Sequence, residues 1–571
     1  MSMKAIKTRP HLIPCVVTGL MLFLALGTWW TYQYYTVQRI VVFAVSVFMV
    51  LVAINWKKWP VMLPFIVMAV LFNPISPLSL DINLWRAIDI PGGILFIVSA
   101  FALKKPEQLK YGIITGYLIK KKRIVRIAVP AVIIIVLAVV VGRQAYFAIY
   151  GDERLTGLVE TIPEQSAIFS PIEKGEADWP SWRGPNGDGK STVTGIIKDF
   201  SGGLNKLWEV NFLCQGQSNV AWSAVAVAGN RLVVPGRDRN NDLVFCLDPQ
   251  SGEIIWSGSY EAKTRSSHGP GSRATAFIDD ERVYTFGRSG DLVCWSLEDG
   301  ELLWRQNVED SGGKEPQWGH SSSPLVYQDK VIVQGGGDAL VIAYDKMTGG
   351  VIWKSMQGEG GYAAVTSMEI DGSVRLLVFY GTGLACINPD DGRDLWSVDW
   401  QTSYGVNATT PAVSGSIVFI TSGYDTGCQA LRVTDGGLEI LWTSKVFASQ
   451  HSDPILIDGF IYGYSGQSDQ NEGWFKCVEL ETGKEMWSSD QIGWGTTLYV
   501  DGHLLCMDIE GNLFLVEPDP SEFRKVTQLQ GALGQVDHPA WTIPVIANGR
   551  LYLRYMQRLI CYDIMSQLGA E

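Results

Sequence analysis

The stretch CLDPQSGEIIW, Cys246–Trp256, places a turn at Asp248–Gly252 and a Trp four residues after the Gly. It recurs as CWSLEDGELLW (294–304), AYDKMTGGVIW (343–353), CINPDDGRDLW (386–396) and CVELETGKEMW (477–487), with a looser copy, LRVTDGGLEILW (431–442). Counting Trp208 of LNKLWEV, successive Trp residues lie 48, 48, 49, 43, 46 and 45 apart. A period near 45 residues in a β-rich chain indicates propeller blades.

The residues between two motifs supply the rest of a blade. RATAFIDDERVYTFGRSGDLVCWSL reads as a strand, a turn at Asp279–Asp280, a second strand, a Gly turn and a third strand. ELLWRQN adds the fourth. Eight copies of the third strand are expected, the first near 246 and the last near 561. The domain begins on a fourth strand, KLWEVNF (206–212), and ends on a third, RLICYDI (558–564), so the two ends should pair and close the ring. The spacing predicts an all-β eight-bladed propeller over 204–564. One blade is degenerate: Phe523 stands where a Trp is expected. Trp208, Trp256, Trp304, Trp353, Trp396, Trp442 and Trp487 are read as docking residues that wedge neighbouring blades, each able to bury roughly 150–250 Å². Cys246, Cys294, Cys386, Cys477 and Cys561 share one place in the repeat and are read as core thiols.

The pattern small-x-Asp-x-x-x-Gly-x-x-x-Trp resembles the tryptophan-docking motif of the pyrroloquinoline quinone (PQQ) repeat family. That family includes eight-bladed quinoprotein alcohol dehydrogenases and a cofactor-free outer-membrane assembly lipoprotein. DWPSWRGPNGDGKS (178–191) looks like the lead-in of such propellers, and 178–203 is expected to pack on the domain. The resemblance implies the fold strongly and the activity weakly.

Charge divides the chain. Residues 1–150 hold 16 Lys and Arg against 3 Asp and Glu, whereas the remainder holds 30 against 55. An acidic propeller excludes a nucleic-acid partner. Apolar runs near 11–29, 38–55, 61–75, 84–103 and 125–149 predict an α-helical membrane domain of about five transmembrane helices over 1–150, followed by a linker at 151–177. Lys and Arg cluster before the first run, between the second and third, and between the fourth and fifth. That bias predicts a multi-pass inner-membrane protein with a cytoplasmic N-terminus and a periplasmic or extracellular propeller.

Four of the six His residues lie just before the first strand of a blade: His268, His320, His451 and His538. Related positions hold Trp222, Asn407 and Trp494, and Asp453 adjoins His451. First strands line the central channel, so these eight residues are the candidate ligand-binding set at its mouth. The same residues would equally serve as hydrogen-bonded pins between blades. No metal site is expected, because imidazoles from different blades would have to meet on one ion.

For function, the resemblance leaves two readings. One is a membrane-anchored extracytoplasmic binding or scaffold module that takes a protein or small-molecule ligand and no cofactor. The other is a membrane-bound quinoprotein dehydrogenase that oxidises an alcohol or sugar with PQQ and Ca²⁺. Dehydrogenases of the family carry adjacent Cys residues and hold Ca²⁺ with Glu, Asn and Asp. This chain has no Cys-Cys dipeptide, and Asn407 and Asp453 are its only rim residues of suitable type. A catalytic residue therefore stays unassigned, and the binding module is the preferred reading.

Overall fold

The computed structural model describes residues 11–24, 32–56, 58–72, 82–103, 172–215, 220–262, 269–434, 437–467 and 472–566. The chain divides into two compact units, 1–146 and 147–571.

Among the described residues of the second unit, eight four-stranded antiparallel sheets form the eight blades. The last blade is shared by the two ends of the domain: Asn205–Val210 pairs with Arg558–Asp563, with Trp208 opposite Cys561 and Val210 opposite Leu559. This pairing removes the open edge a linear array of sheets would leave.

The repeat motif holds consecutive blades together by one recurrent contact. Trp208 Nε1–H donates to Pro249 O at 3.1 Å, Trp256 to Leu297 O at 2.9 Å and Trp304 to Lys346 O at 3.1 Å. Trp353 donates to Pro389 O at 3.1 Å, Trp442 to Leu480 O at 2.8 Å and Trp487 to Asp519 O at 2.8 Å. Each acceptor lies in the turn before the next blade's fourth strand. The ring also covers the motif Gly of that turn. At Gly300, φ is +75° and a Cβ would stand 2.5 Å from the Trp256 ring, so both the turn and the wedge demand Gly. Trp396 is the exception. Its neighbouring turn is the loose copy, and its indole N–H finds no partner among the described residues.

The strand register explains the other motif positions. Trp256 pairs with Cys246, Trp304 with Cys294, Trp396 with Cys386 and Trp487 with Cys477, each beside a one-residue irregularity in the ladder. All nine Cys residues are buried and unbridged. In the degenerate blade, Thr527 holds the Trp register opposite Leu515, and Phe523 instead packs on Trp487 at 5.5 Å.

The first unit departs from the sequence expectation. Its described helices are Leu12–Leu24, Tyr32–Asn55, Trp59–Leu71 and Ile82–Ala102. Among the described residues, no helix is long and apolar enough to cross a membrane. Leu12–Leu24 and Trp59–Leu71 have 13 residues each. At about 1.5 Å per residue Trp59–Leu71, which ends at its C-cap Phe72, reaches about 20 Å, short of a hydrocarbon core of about 30 Å. The longer helices include Gln38 and Arg39 in one and Arg86, Asp89 and Pro91 in the other. Their apolar residues pack on one another, with Leu22, Met49, Phe65 and Phe96 fully buried, and Gln38 Nε2 donates to Asp89 at 3.3 Å. The apolar runs recorded composition and ignored packing between helices and the polar residues inside the longer ones. The five-helix membrane domain, the multi-pass inner-membrane location and the extracytoplasmic propeller are corrected accordingly. The expected fifth span, 125–149, lies outside the described residues.

Candidate functional site

In a four-stranded blade, the loop from one blade's fourth strand to the next blade's first strand lies on the same face as the turn between second and third strands. That face carries the channel mouth. The candidate residues stand on its loops, but in two different registers.

Counting back from the Pro that opens a first strand separates them. His320 lies four residues before Pro324, and Asn407 four before Pro411. His451 lies three residues before Pro454, and Trp541 three before Pro544. In an extended chain, successive side chains point to opposite sides, so this offset decides where each one goes.

The fourth-position residues turn into the preceding blade. His320 is 2% exposed, stacks on Phe286 at 5.1 Å and donates its backbone N–H to Arg288 O at 2.8 Å. Burial pushes its imidazole pKa down to about 4. Asn407 is fully buried. Its Nδ2 donates to Tyr380 O at 2.7 Å and Trp400 O at 3.2 Å, and its Oδ1 accepts from Thr402 Oγ1 at 2.5 Å and Ser422 Oγ at 2.8 Å. These are pins between blades.

The third-position residues converge. Trp222 meets Trp541 at 4.8 Å, Trp541 meets His451 at 5.6 Å, and His451 meets Trp494 at 4.6 Å. Rings entering four blades thus form one continuous aromatic wall. Burial against these rings lowers the His451 pKa to about 4. His538 is exposed and outside this wall, with its backbone N–H donating to Tyr555 OH at 2.8 Å. His268 lies outside the described residues. Trp541 was missed in the sequence; its distance from Pro544, matching that of His451 from Pro454, was the signal that could have found it.

Asp453 belongs to a different device. The lead-in segment runs through the channel below the mouth. Trp179 bridges Val227, Pro180 O accepts from Ile278 N–H at 2.8 Å, and Trp182 Nε1–H donates to Thr410 Oγ1 at 2.9 Å. Farther along, Gly189 O accepts from Tyr499 N–H at 2.9 Å, and Ser191 Oγ donates to Ile546 O at 2.9 Å. At its centre the Arg183 guanidinium, 2% exposed, meets Asp453 Oδ2 at 2.9 Å and donates to Gly187 O, Asp188 O and Pro454 O. The other Asp453 oxygen accepts from Thr410 N–H at 2.8 Å. Contacts to the first strands or their entries in six blades make this segment a strap across the channel.

A cavity of about 620 Å³ opens beside the wall, lined among others by Trp474, Trp494, Asp490, Asp508 and Glu510. Among the described residues, no group of His, Cys, Asp and Glu has metal-holding geometry.

Residues 240–489 match the family described as outer membrane protein assembly factor BamB, PQQ_2. Over those residues the propeller is similar to the PQQ-repeat family. Residues 9–101 match a family of unknown function, DUF6804. BamB of Shewanella oneidensis is 24% identical over 337 residues, covering 54% of this chain and 76% of that protein. A tetrathionate hydrolase of Acidithiobacillus ferrooxidans is 23% identical over 196 residues, covering 32% of this chain and only 38% of the hydrolase. The quinohemoprotein alcohol dehydrogenase of Comamonas testosteroni superposes with a TM-score of 0.49 at 13% identity, covering 69% of this chain and 82% of that chain.

The residues of this propeller fit a quinone and its cation poorly. Asn407 and Asp453, the two side chains the resemblance would offer to Ca²⁺, have their oxygens engaged by Thr402, Ser422, Arg183 and Thr410. The Cys residues nearest this face in sequence, Cys214 and Cys428, are buried and unbridged.

Proposed function

We propose that this propeller is a binding module that takes its ligand at the aromatic mouth and works without a quinone cofactor. The observation that carries the reading is the pairing of an aromatic wall, Trp222, Trp541 and His451, with a strap that closes the channel beneath it. A concave site with aromatic walls is a default place for ligand capture. The similarity to an assembly factor supports a protein ligand, and the engaged oxygens of Asn407 and Asp453 speak against calcium and PQQ.

Two measurements test this. PQQ and Ca²⁺ are added to the purified full chain, and dye reduction is followed with alcohols and sugars. No substrate-dependent reduction is expected, and its appearance overturns the reading. A photoreactive phenylalanine analogue at Trp541 should cross-link a partner in the native host, whereas one at Asp371, in a turn of the opposite face, should not. Equal cross-linking from both positions also overturns it.

A further inference from the structure

A second aromatic series occupies the same face, on the loops of blades three to five. Trp318 lies 5.9 Å from Tyr362 and 5.8 Å from Tyr404, and Tyr404 lies 5.9 Å from Tyr424. Tyr404 stands nearly perpendicular to both Trp318 and Tyr424, at 80° and 70°. It is therefore an aromatic ridge standing edge to face between its two neighbours.

The ridge is held rigidly and under strain. Tyr404 has φ of +63° and Tyr424 has φ of +57°, conformations that a bulky side chain rarely adopts. Such outliers persist only where the surroundings impose them, and they cluster at ligand clamps. Trp318 is fixed through its backbone: its carbonyl accepts from Arg288 Nε at 3.1 Å and from Arg273, and its N–H donates to the Tyr362 hydroxyl at 3.4 Å. Gln450 Nε2 donates to the Tyr424 hydroxyl at 3.1 Å. Tyr404 itself is 44% exposed, so the strained residue is also the one that solvent reaches.

The surroundings select the occupant. Exposed aromatic surfaces accept a polyproline II segment, whose backbone makes no internal hydrogen bonds and whose ordering entropy is low. Two exposed carboxylates flank the ridge. Glu359 adjoins Gly405, with its carboxylate 3.4 Å from where a Cβ on Gly405 would stand, and Asp425 follows Tyr424 directly. They complement a basic side chain on the ligand. The inference rests on the reading of this face as a binding module and supplies its ligand class.

We propose that the Trp318–Tyr404–Tyr424 ridge binds a proline-rich segment of a partner protein that carries a Lys or Arg. Fluorescence anisotropy with the full chain tests it, using a short labelled peptide of two Pro-x-x-Pro repeats and one flanking Arg. Saturable binding is expected, weakened by added salt and by Glu359→Gln with Asp425→Asn. A control peptide with the prolines replaced by Ala should bind about tenfold less tightly or worse, a difference of about 1.4 kcal/mol. Tyr404→Gly is the decisive variant. It removes the ring and relieves the positive φ, so it should melt at or above the wild-type temperature while losing at least about tenfold in affinity, again about 1.4 kcal/mol. Equal binding of the two peptides overturns the proposal, as does unchanged affinity in Tyr404→Gly. Oligosaccharide binding that depends on Tyr404, without peptide binding, overturns it in favour of a glycan. If the peptide fails while Trp541 still cross-links a partner, only the ligand class falls and the binding-module reading stands.

Discussion

The two faces of the propeller use aromatic residues in opposite ways. On the motif face, one Trp recurs in seven of the eight blades and typically covers the next blade's Gly and donates to its turn, as Trp256 does over Gly300 toward Leu297. On the mouth face the aromatics do not repeat: Trp222, His451 and Trp541 form one wall, and Trp318, Tyr404 and Tyr424 another. Repetition marks the contacts that every blade needs. Departure from the repeat marks positions released from that demand, where a site can be built.

The largest effect should come from the strap that closes the channel. Arg183→Ala leaves Asp453 buried without its cation, which costs about 3–5 kcal/mol in comparable pairs. Urea unfolding should report it. A loss under about 1 kcal/mol, the level of an exposed ion pair, would mean that the strap is peripheral and that the mouth has no closed floor.

The motif face comes next. Gly300→Ala places a Cβ against the Trp256 ring at a φ of +75°. The left-handed conformation alone costs about 1–2 kcal/mol, and displacement of Trp256 adds to it. Gly415→Ala, where φ is also positive but no heavy atom lies within 4 Å of the added Cβ, isolates the backbone part. Equal losses at both sites would remove the wedge from the account.

A third effect is pH-dependent. The His320 pKa is pushed down to about 4 by burial, while an exposed imidazole titrates near 6.5. Between those values the unfolded chain binds a proton that the folded chain refuses. Its contribution to stability is therefore complete above about pH 6.5 and declines as pH falls toward about 4. Guanidinium midpoints across that window should fall with acidity, and His320→Gln should flatten the slope. A slope unchanged in that variant would contradict the burial of His320 against Phe286. For the same reason His451, also near pKa 4, gives the mouth no imidazole titration near neutral pH.

Much of the propeller was legible because its signal repeats. Seven Trp residues at a spacing near 45 carried blade number, closure and the docking role of the motif. Phe523 misled, since a one-residue irregularity between Leu515 and Val516 gives the Trp register to Thr527. The helical unit was misread because an apolar run records composition alone, whereas no described helix is both long and apolar enough to span a membrane. The site was legible only as a region. His320 and His451 look equivalent in the sequence, yet one residue of offset from the following Pro turns one into a pin and the other into the wall. The second ridge gave no periodic signal, because Trp318 and Tyr404 sit at different offsets before Pro324 and Pro411 and Tyr424 comes from a turn between second and third strands, and only the fold brings them together.

The last comparison separates the two registers, and it bears most directly on the claim that they do different work. Asn407→Ala would leave two carbonyls and two hydroxyls without their partner in a fully buried position. Each such group costs about 1–3 kcal/mol. Trp541→Phe keeps an aromatic ring in a half-buried wall and should cost about 1 kcal/mol or less, in the range of one aromatic pair. Urea unfolding of the two variants beside the wild type is the measurement. The account predicts a loss of at least about 3 kcal/mol for Asn407→Ala and near wild-type stability for Trp541→Phe. Equal losses, or a greater loss at Trp541, would contradict the division of this face into pins and mouth.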